Sequence, residues 1–236
     1  MRLNVRDVAG LLGVSEKTVY RWVNDGKIPF FRVGDQLRFS RGEILEWATA
    51  HRASVSPSIG LEPDSEGLPL PSLATALERG GIFFRVEATD RDSALRSVVR
   101  SLRLPGDVDR DRMFEMLRIR EELASTGVGD GIAIPHPRHP VFPELDEPAV
   151  TLCLLEQPVD FGAMDGEPVF ALFTVLSPTI RGHLHLLSRT AFVLRDAGVL
   201  RALRDEASRD ALLSEIRRVE RGIAEHAGDD AARPRP

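Results

Sequence analysis

In 236 residues the chain has one cysteine, Cys153, one tyrosine, Tyr20, and only two lysines, Lys17 and Lys27. A single thiol excludes an intramolecular disulfide framework and every zinc site built on several thiolates. Cys153 sits inside the apolar run AVTLCLL and reads as a small buried hydrophobe. No apolar run approaches the roughly 18 residues of a membrane span. The opening MRLNVRDVAG has the pattern of neither a signal peptide nor a transit sequence. These absences fit the reducing cytoplasm and a chain without membrane insertion. Internal repeats are also absent.

Charge of one sign is scarce in one part only. The formal net charge is -5, yet residues 1–52 carry nine Lys/Arg against six Asp/Glu, and the remainder 22 against 30. A basic head of +3 thus precedes an acidic body of -8. Contact with a polyanion is expected of the head.

The composition shift between them is ASVSPSIGLEPDSEGLPLP, residues 53–71, rich in Ser, Pro and Gly and without apolar period. It reads as an interdomain linker. The segment 227–236 has little to bury and is expected to be a disordered tail. Domains are therefore predicted over 1–52 and 72–226.

Within the head, NVRDVAGLLGV and SEKTVYRWVNDG are two short helical patterns. IPFFRV and QLRFS are extended and joined at Gly34-Asp35, a tight-turn signal for a hairpin, and GEILEWATAH is a third helix. The body alternates. LATALERG, DRDSALRSVVRSLRL (with Asp90 as N-cap), DVDRDRMFEMLRIREEL, HLHLLSRTAFVLRD and SRDALLSEIRRVERGIAEH read as helices, while IFFRVEA, GIAIPH, AVTLCLLE and VFALFTVLS read as strands. Such alternation predicts an α/β sandwich, a mixed sheet with helices on both faces.

Residues 5–23 meet the steric pattern of a helix-turn-helix. Ala9 is small where two helices cross, Gly13 tolerates φ > 0 at the turn, and Leu12, Val14, Val19 and Trp22 point inward. Ser15 is a natural N-cap. Glu16, Lys17, Tyr20 and Arg21 are left on the outward face of the second helix, where Lys and Arg can donate to base edges and phosphates in a major groove. Arg32 and Arg38 on the hairpin would act as a wing on the DNA backbone. In order, VSEKTVYRW, GKIP and RVG closely resemble the excisionase-type winged helix-turn-helix domains, relatives of the MerR regulators, over residues 2–49. That resemblance implies binding of double-stranded DNA with the second helix in the major groove and the hairpin as wing; a lone head of this size binds weakly, so a homodimer or paired sites would be needed for useful affinity. A protein–protein module on the same fold is the alternative.

In the body, His136 stands at the end of STGVGDGIAIPH. A phosphate-carrying histidine needs one ring nitrogen as nucleophile and the other held by a hydrogen bond. It also needs donors or cations set in advance around the phosphoryl oxygens. Ser125, Thr126, Gly127, Gly129 and Gly131 read as a loop of donors. Pro135 and Pro137 clamp the backbone, Arg120 can supply a cation, and His183 a second imidazole. The remaining histidines, His51, His139, His185 and His226, read as surface or packing residues.

Arg120 and STGVGDGIAIPH, followed by PVDFGAMDGEPVFALFTVLSP and HLHLLSRTA, resemble the enzyme IIA type 2 domains of the bacterial sugar phosphotransferase system. The likeness to these domains, found in the fructose, mannitol and nitrogen-regulatory branches, runs over about residues 70–220. It implies that His136 is the phosphorylated histidine, Arg120 the phosphate-stabilising arginine and His183 the second active-site histidine, with Thr126 and Asp130 in the active-site loop. The donor would be the histidine-containing phosphocarrier protein or a paralogue, in a transfer needing no metal or bound cofactor. One departure stands out: the usual Gly-Lys after the histidine is Pro137-Arg138 here, which stiffens the place where a donor docks.

Three functions follow as expectations. The first is a transcriptional regulator whose DNA or partner binding is set by phosphorylation of His136. The second is a phosphocarrier passing phosphate to a IIB protein in carbohydrate uptake, and the third a nitrogen-type sensor whose phosphorylation state controls binding to other proteins.

Overall fold

A computed structural model describes residues 2–34, 36–50, 70–106, 108–137, 142 and 145–231. The head contains β1 (Arg2–Leu3), α1 (Val5–Leu12), α2 (Glu16–Asn24), β2 (Phe31–Val33), β3 (Gln36–Ser40) and α3 (Arg41–Ala50). Asn4 and Asp7 form a reciprocal capping box that starts α1, and Gly13, at φ 63°, ends it in the left-handed region. Two residues on, the Ser15 hydroxyl accepts the Thr18 N–H at 3.2 Å and starts α2. The turn expected between two helices is therefore built from one glycine and one cap. Val8, Leu12, Val19, Phe39 and Ile44 bury the inner faces of these elements in one apolar cluster. Strand order is β1-β3-β2, all antiparallel. Asp35, half of the expected hairpin turn, lies outside the described residues, as do residues 51–69, which hold most of the expected linker.

The body consists of α4 (Leu73–Gly80), β4 (Ile82–Val86), α5 (Arg91–Ser101), α6 (Arg110–Leu123), β5 (Gly127–Gly129), β6 (Ile132–Ala133), β7 (Ala149–Val159), β8 (Val169–Leu176), α7 (Ile180–Val193), α8 (Ala197–Arg204) and α9 (Arg209–Ala231). Its sheet has the order β4-β7-β8-β6-β5. The outer pair β4/β7 and the pair β6/β8 are parallel, and the pairs β7/β8 and β5/β6 antiparallel. Central strands of a sheet covered on both sides must be apolar on both faces, and β7 and β8 are. Val150, Leu152 and Phe173 pack with α4, α7 and α9, whereas Cys153, Leu155 and Leu172 pack with α5 and α6. This is the α/β sandwich expected of the body. Burial pushes the Cys153 thiol up to about 11, so it behaves as a buried hydrophobe and not as a reactive thiolate.

Three differences from the expectations have physical causes. Gly127–Gly129 form a strand rather than an open loop, because β6 is available as an antiparallel partner. The helix α8 was not expected. It is only eight residues long, and the Asp196 carboxylate nucleates it by accepting the Gly198 and Val199 N–H groups. The last helix continues to Ala231, into the segment expected to be tail. On that helix the buried Glu220 carboxylate accepts the Leu73 and Ala74 N–H groups at 2.7 and 3.1 Å, capping α4 from a distance.

Candidate functional site

Strand β5, the tight turn at Asp130-Gly131 and strand β6 make a hairpin at the sheet edge, and the chain leaves β6 straight into His136. Asp130 and Gly131 have φ of 55° and 73°, the paired left-handed values that a two-residue hairpin turn requires. Ile134 donates its N–H to the Thr126 carbonyl at 3.0 Å, so pairing continues to two residues before the histidine. His136 itself is 4% exposed. Its Nδ1 lies 2.8 Å from the Ile134 carbonyl oxygen. A carbonyl can only accept, so the neutral ring carries its proton on Nδ1 and its lone pair on Nε2.

The second imidazole arrives from α7. The Thr179 hydroxyl caps that helix by accepting the Gly182 N–H at 3.1 Å. Gly182 is required there: a Cβ would come within 2.5 Å of Ser177 Oγ and 2.8 Å of Pro148 Cγ. With that close approach the first turn of α7 sits against the end of β8 and carries His183 inward. His183 is 1% exposed, and its ring centroid is 5.5 Å from that of His136, tilted by 50°. The start of α7 also directs its positive dipole end to this region.

The other expected residues are placed differently. Arg120, half-buried in the last turn of α6, donates from Nη1 to the Ala124 carbonyl at 2.9 Å and so satisfies the helix end. Thr126 is buried, and its N–H donates to Glu121 at 2.8 Å while its hydroxyl donates to the same carboxylate. Asp130 lies at the hairpin tip, the end of the hairpin remote from His136, and accepts from Arg204 at 3.1 Å. Donors expected to be available in the glycine-rich stretch are already used. The Gly127 N–H goes to Ser125 Oγ, the Ser125 hydroxyl to the Phe161 carbonyl, and the Asp130 N–H to Asp165. Their role is to build the hairpin, with Gly127 packed where a Cβ would meet Ala163 Cβ at 2.7 Å.

Glu121 was not singled out from the sequence, although a signal exists. It falls four residues after Leu117 on the same stripe of α6 that buries Met113 and Phe114, an odd place for a carboxylate. Burial pushes its carboxyl above the usual range, and the hydrogen bonds from Thr126 pull the other way.

In the head, Glu16, Lys17, Tyr20 and Arg21 are all exposed, Tyr20 at 48%. They share α2, and Ser15 is its cap as expected. The wing residues part company. Arg32 pairs across the hairpin with Leu37 and Arg38 with Phe31, so adjacent pairs put the two arginines on opposite faces. Arg38 is half-buried and donates to the Leu37 carbonyl at 3.0 Å, leaving Arg32 as the exposed wing cation. His185 is a packing residue as expected, its Nε2 3.0 Å from the Pro71 carbonyl. The side chains of His51, His139 and His226 lie outside the described residues. Among the described residues no group of acidic, His and Cys side chains could hold a metal ion, and no helix is long and apolar enough to cross a membrane.

Comparison with known proteins covers both parts. Residues 75–219 match the family described as the phosphoenolpyruvate-dependent sugar phosphotransferase system, EIIA 2, and residues 2–52 match a helix-turn-helix domain family. The chain is 44% identical over 101 residues to the nitrogen regulatory protein of Bradyrhizobium diazoefficiens, covering 42% of this chain and 63% of that protein. Against the nitrogen regulatory protein of Pseudomonas aeruginosa it is 40% identical over 118 residues, 49% of this chain and 75% of the relative. Among solved structures, the nitrogen regulatory protein IIA-Ntr from Neisseria meningitidis superimposes with a TM-score of 0.53 at 28% identity, covering 61% of this chain and 97% of that one.

Proposed function

The chain belongs to the phosphoenolpyruvate-dependent sugar phosphotransferase system EIIA 2 family, with a helix-turn-helix domain ahead of it, and from that premise we propose that it is a regulatory phosphocarrier of the nitrogen type. Its relatives are phosphohistidine phosphocarriers rather than small-molecule enzymes. In this reading His136 accepts a phosphoryl group from the histidine-containing phosphocarrier protein or a paralogue, and partner proteins respond to the charge it adds. The observation that carries it is the Nδ1 contact to the Ile134 carbonyl, which leaves Nε2 as the nucleophilic nitrogen beside His183.

The step is an in-line displacement. The Nε2 lone pair of His136 forms the new N–P bond as the N–P bond to the donor's imidazole breaks. The donor ring, already protonated on its other nitrogen, leaves with that electron pair as a neutral imidazole, and the His136 ring becomes the phosphorylated imidazolium. As positive charge grows on the His136 ring, the Nδ1–H bond to Ile134 strengthens. His183, at the positive end of α7, supplies an N–H to the phosphoryl oxygens, and Arg120 supplies longer-range positive charge. A phosphoprotein prepared with phosphoenolpyruvate and the general phosphotransferase proteins should show, by phosphorus NMR and tandem mass spectrometry, one phosphate on Nε2 of His136. Phosphate on Nδ1, or on His183, overturns the assignment.

A second reading concerns the head. Lys17, Tyr20 and Arg21 stand exposed together on α2, which favours a transcriptional regulator of the excisionase or MerR type, binding double-stranded DNA as a homodimer or at paired sites. Phosphate would then be passed to no one, whereas a carbohydrate-uptake role would require transfer from His136 to a IIB protein. Mixing the phosphoprotein with a IIB protein separates the two: rapid loss of label to IIB favours transport.

A further inference from the structure

We infer that the helix-turn-helix head occupies the phosphotransfer face of the body, so that head and donor protein compete for one surface and His136 is phosphorylated only when the head lets go. The inference rests on His136 as the phosphate acceptor, and it adds the occupant of that site.

The contact is made by α3, which carries none of the DNA-reading residues. It packs against α7, which carries His183, and against the edge strand β5, whose neighbour β6 leads into His136. Leu184, the residue after His183, packs against the head's own apolar cluster, as Trp47 and Leu37 of the head do. The Cδ2 of Leu184 lies 4.0 Å from where a Cβ on Gly42 would stand. His136 and His183 are 4% and 1% exposed in this arrangement. A donor histidine must bring its phosphorus within bonding distance of Nε2, and a buried ring does not permit that.

Chemistry makes the exclusion mutual. A phosphoryl group carries nearly two negative charges and needs water or donors around three oxygens. Covering this face with Leu184 and α3 takes water away from those oxygens, so a phosphohistidine and a docked head oppose one another. Whatever factor docking imposes on phosphorylation, phosphorylation imposes equally on docking. Release does not mean loss. Pro71, held through its carbonyl by His185 of α7, fixes the far end of the tether on that helix, and residues 51–69 span at most about 68 Å of contour. The tethered head therefore competes at an effective concentration on the order of mM. The reading residues of α2 stay exposed while α3 is docked.

Diethyl pyrocarbonate, which acylates accessible imidazoles, tests this on the full chain with peptide mass spectrometry as readout. Two variants open the contact from opposite sides: Gly42→Arg on the head and Leu184→Asp on the body. Modification of both His136 and His183 should accelerate roughly tenfold, by the ratio of docked to released head. The exposed-surface control Arg100→Ala, on α5, should leave the wild-type rates unchanged. Wild-type rates in both opening variants overturn the inference, as do wild-type histidines that already react like free imidazole. Should either variant misfold, hydrogen exchange on the wild type decides. Phosphorylation must speed amide exchange in α3 and in the first turn of α7, and unchanged exchange contradicts the inference. Failure of His136 to take label in any form would sink the acceptor reading alone, because the acylation rates report burial without it.

Discussion

Thr126 gives both its backbone N–H and its hydroxyl to the carboxylate of Glu121, a side chain only 2% exposed at the last turn of α6. This pair, five residues apart, turns the chain from the helix into the hairpin that delivers His136. Because burial raises the Glu121 carboxyl, the folded chain holds its proton more tightly than the unfolded one. The contribution is fully present below the ordinary glutamate value and is lost as pH rises through the raised folded value. Urea unfolding at stepped pH should show wild-type stability falling across that window, and Glu121→Gln should be flat there. The amide keeps one acceptor and costs about 1–3 kcal/mol for the other. A variant that retains the wild-type slope contradicts this.

His183 and its neighbour Gly182 should affect transfer separately from folding. His183→Gln is expected to slow labelling of His136 by roughly 10²–10³, the usual loss for one charge-stabilising donor. Gly182→Ala forces the start of α7 off Ser177 and Pro148 and should also slow labelling, although it leaves both histidines in place. Single-turnover transfer from the phosphocarrier measures both. Wild-type rates in either variant would separate His183 from the chemistry.

DNA binding by the head should depend on Lys17 and Arg21. Lys17→Ala/Arg21→Ala is expected to abolish the shifted band with genomic fragments, and Arg32→Ala to lower the salt slope by about 1. Arg38→Ala should change it less, since Arg38 lies on the opposite face of the wing and is half-buried. Fluorescence anisotropy across a salt series checks all three. Salt-insensitive binding would favour the protein–protein reading of the head.

Helix α4 should tolerate no side chain at Gly80, where a Cβ would lie 2.2 Å from the Val150 carbonyl oxygen. Gly80→Ala is expected to destabilise the body by about 1–3 kcal/mol through forced displacement of α4 from β7. Thermal unfolding followed by circular dichroism measures it, and an unchanged midpoint contradicts the packing.

Much of this molecule could be read from residue order because its signals are local. Ser15, Asp90 and Gly13 mark helix ends by caps and a left-handed turn, and the apolar runs of β7 and β8 mark buried strands. His136 and His183 were both legible as site residues from the family resemblance, and the fold brings their rings together. What was not legible depends on partners distant in sequence. The donors of Ser125 and Asp130 look available in the sequence because their acceptors, Phe161 and Asp165, lie more than thirty positions away, and the Gly127 N–H goes to Ser125 Oγ. Arg32 and Arg38 looked alike until strand register placed them on opposite faces. Nothing in Leu184 alone says that it is covered by a helix from before the linker.

Phosphate transfer by this chain stands or falls on His136 as the acceptor. Incubation with labelled phosphoenolpyruvate, enzyme I and the phosphocarrier protein tests it most directly, comparing wild type with His136→Ala under conditions where both are shown to be folded. Acid-labile label is expected on the wild type and none on the variant. Equal labelling of the two would contradict it.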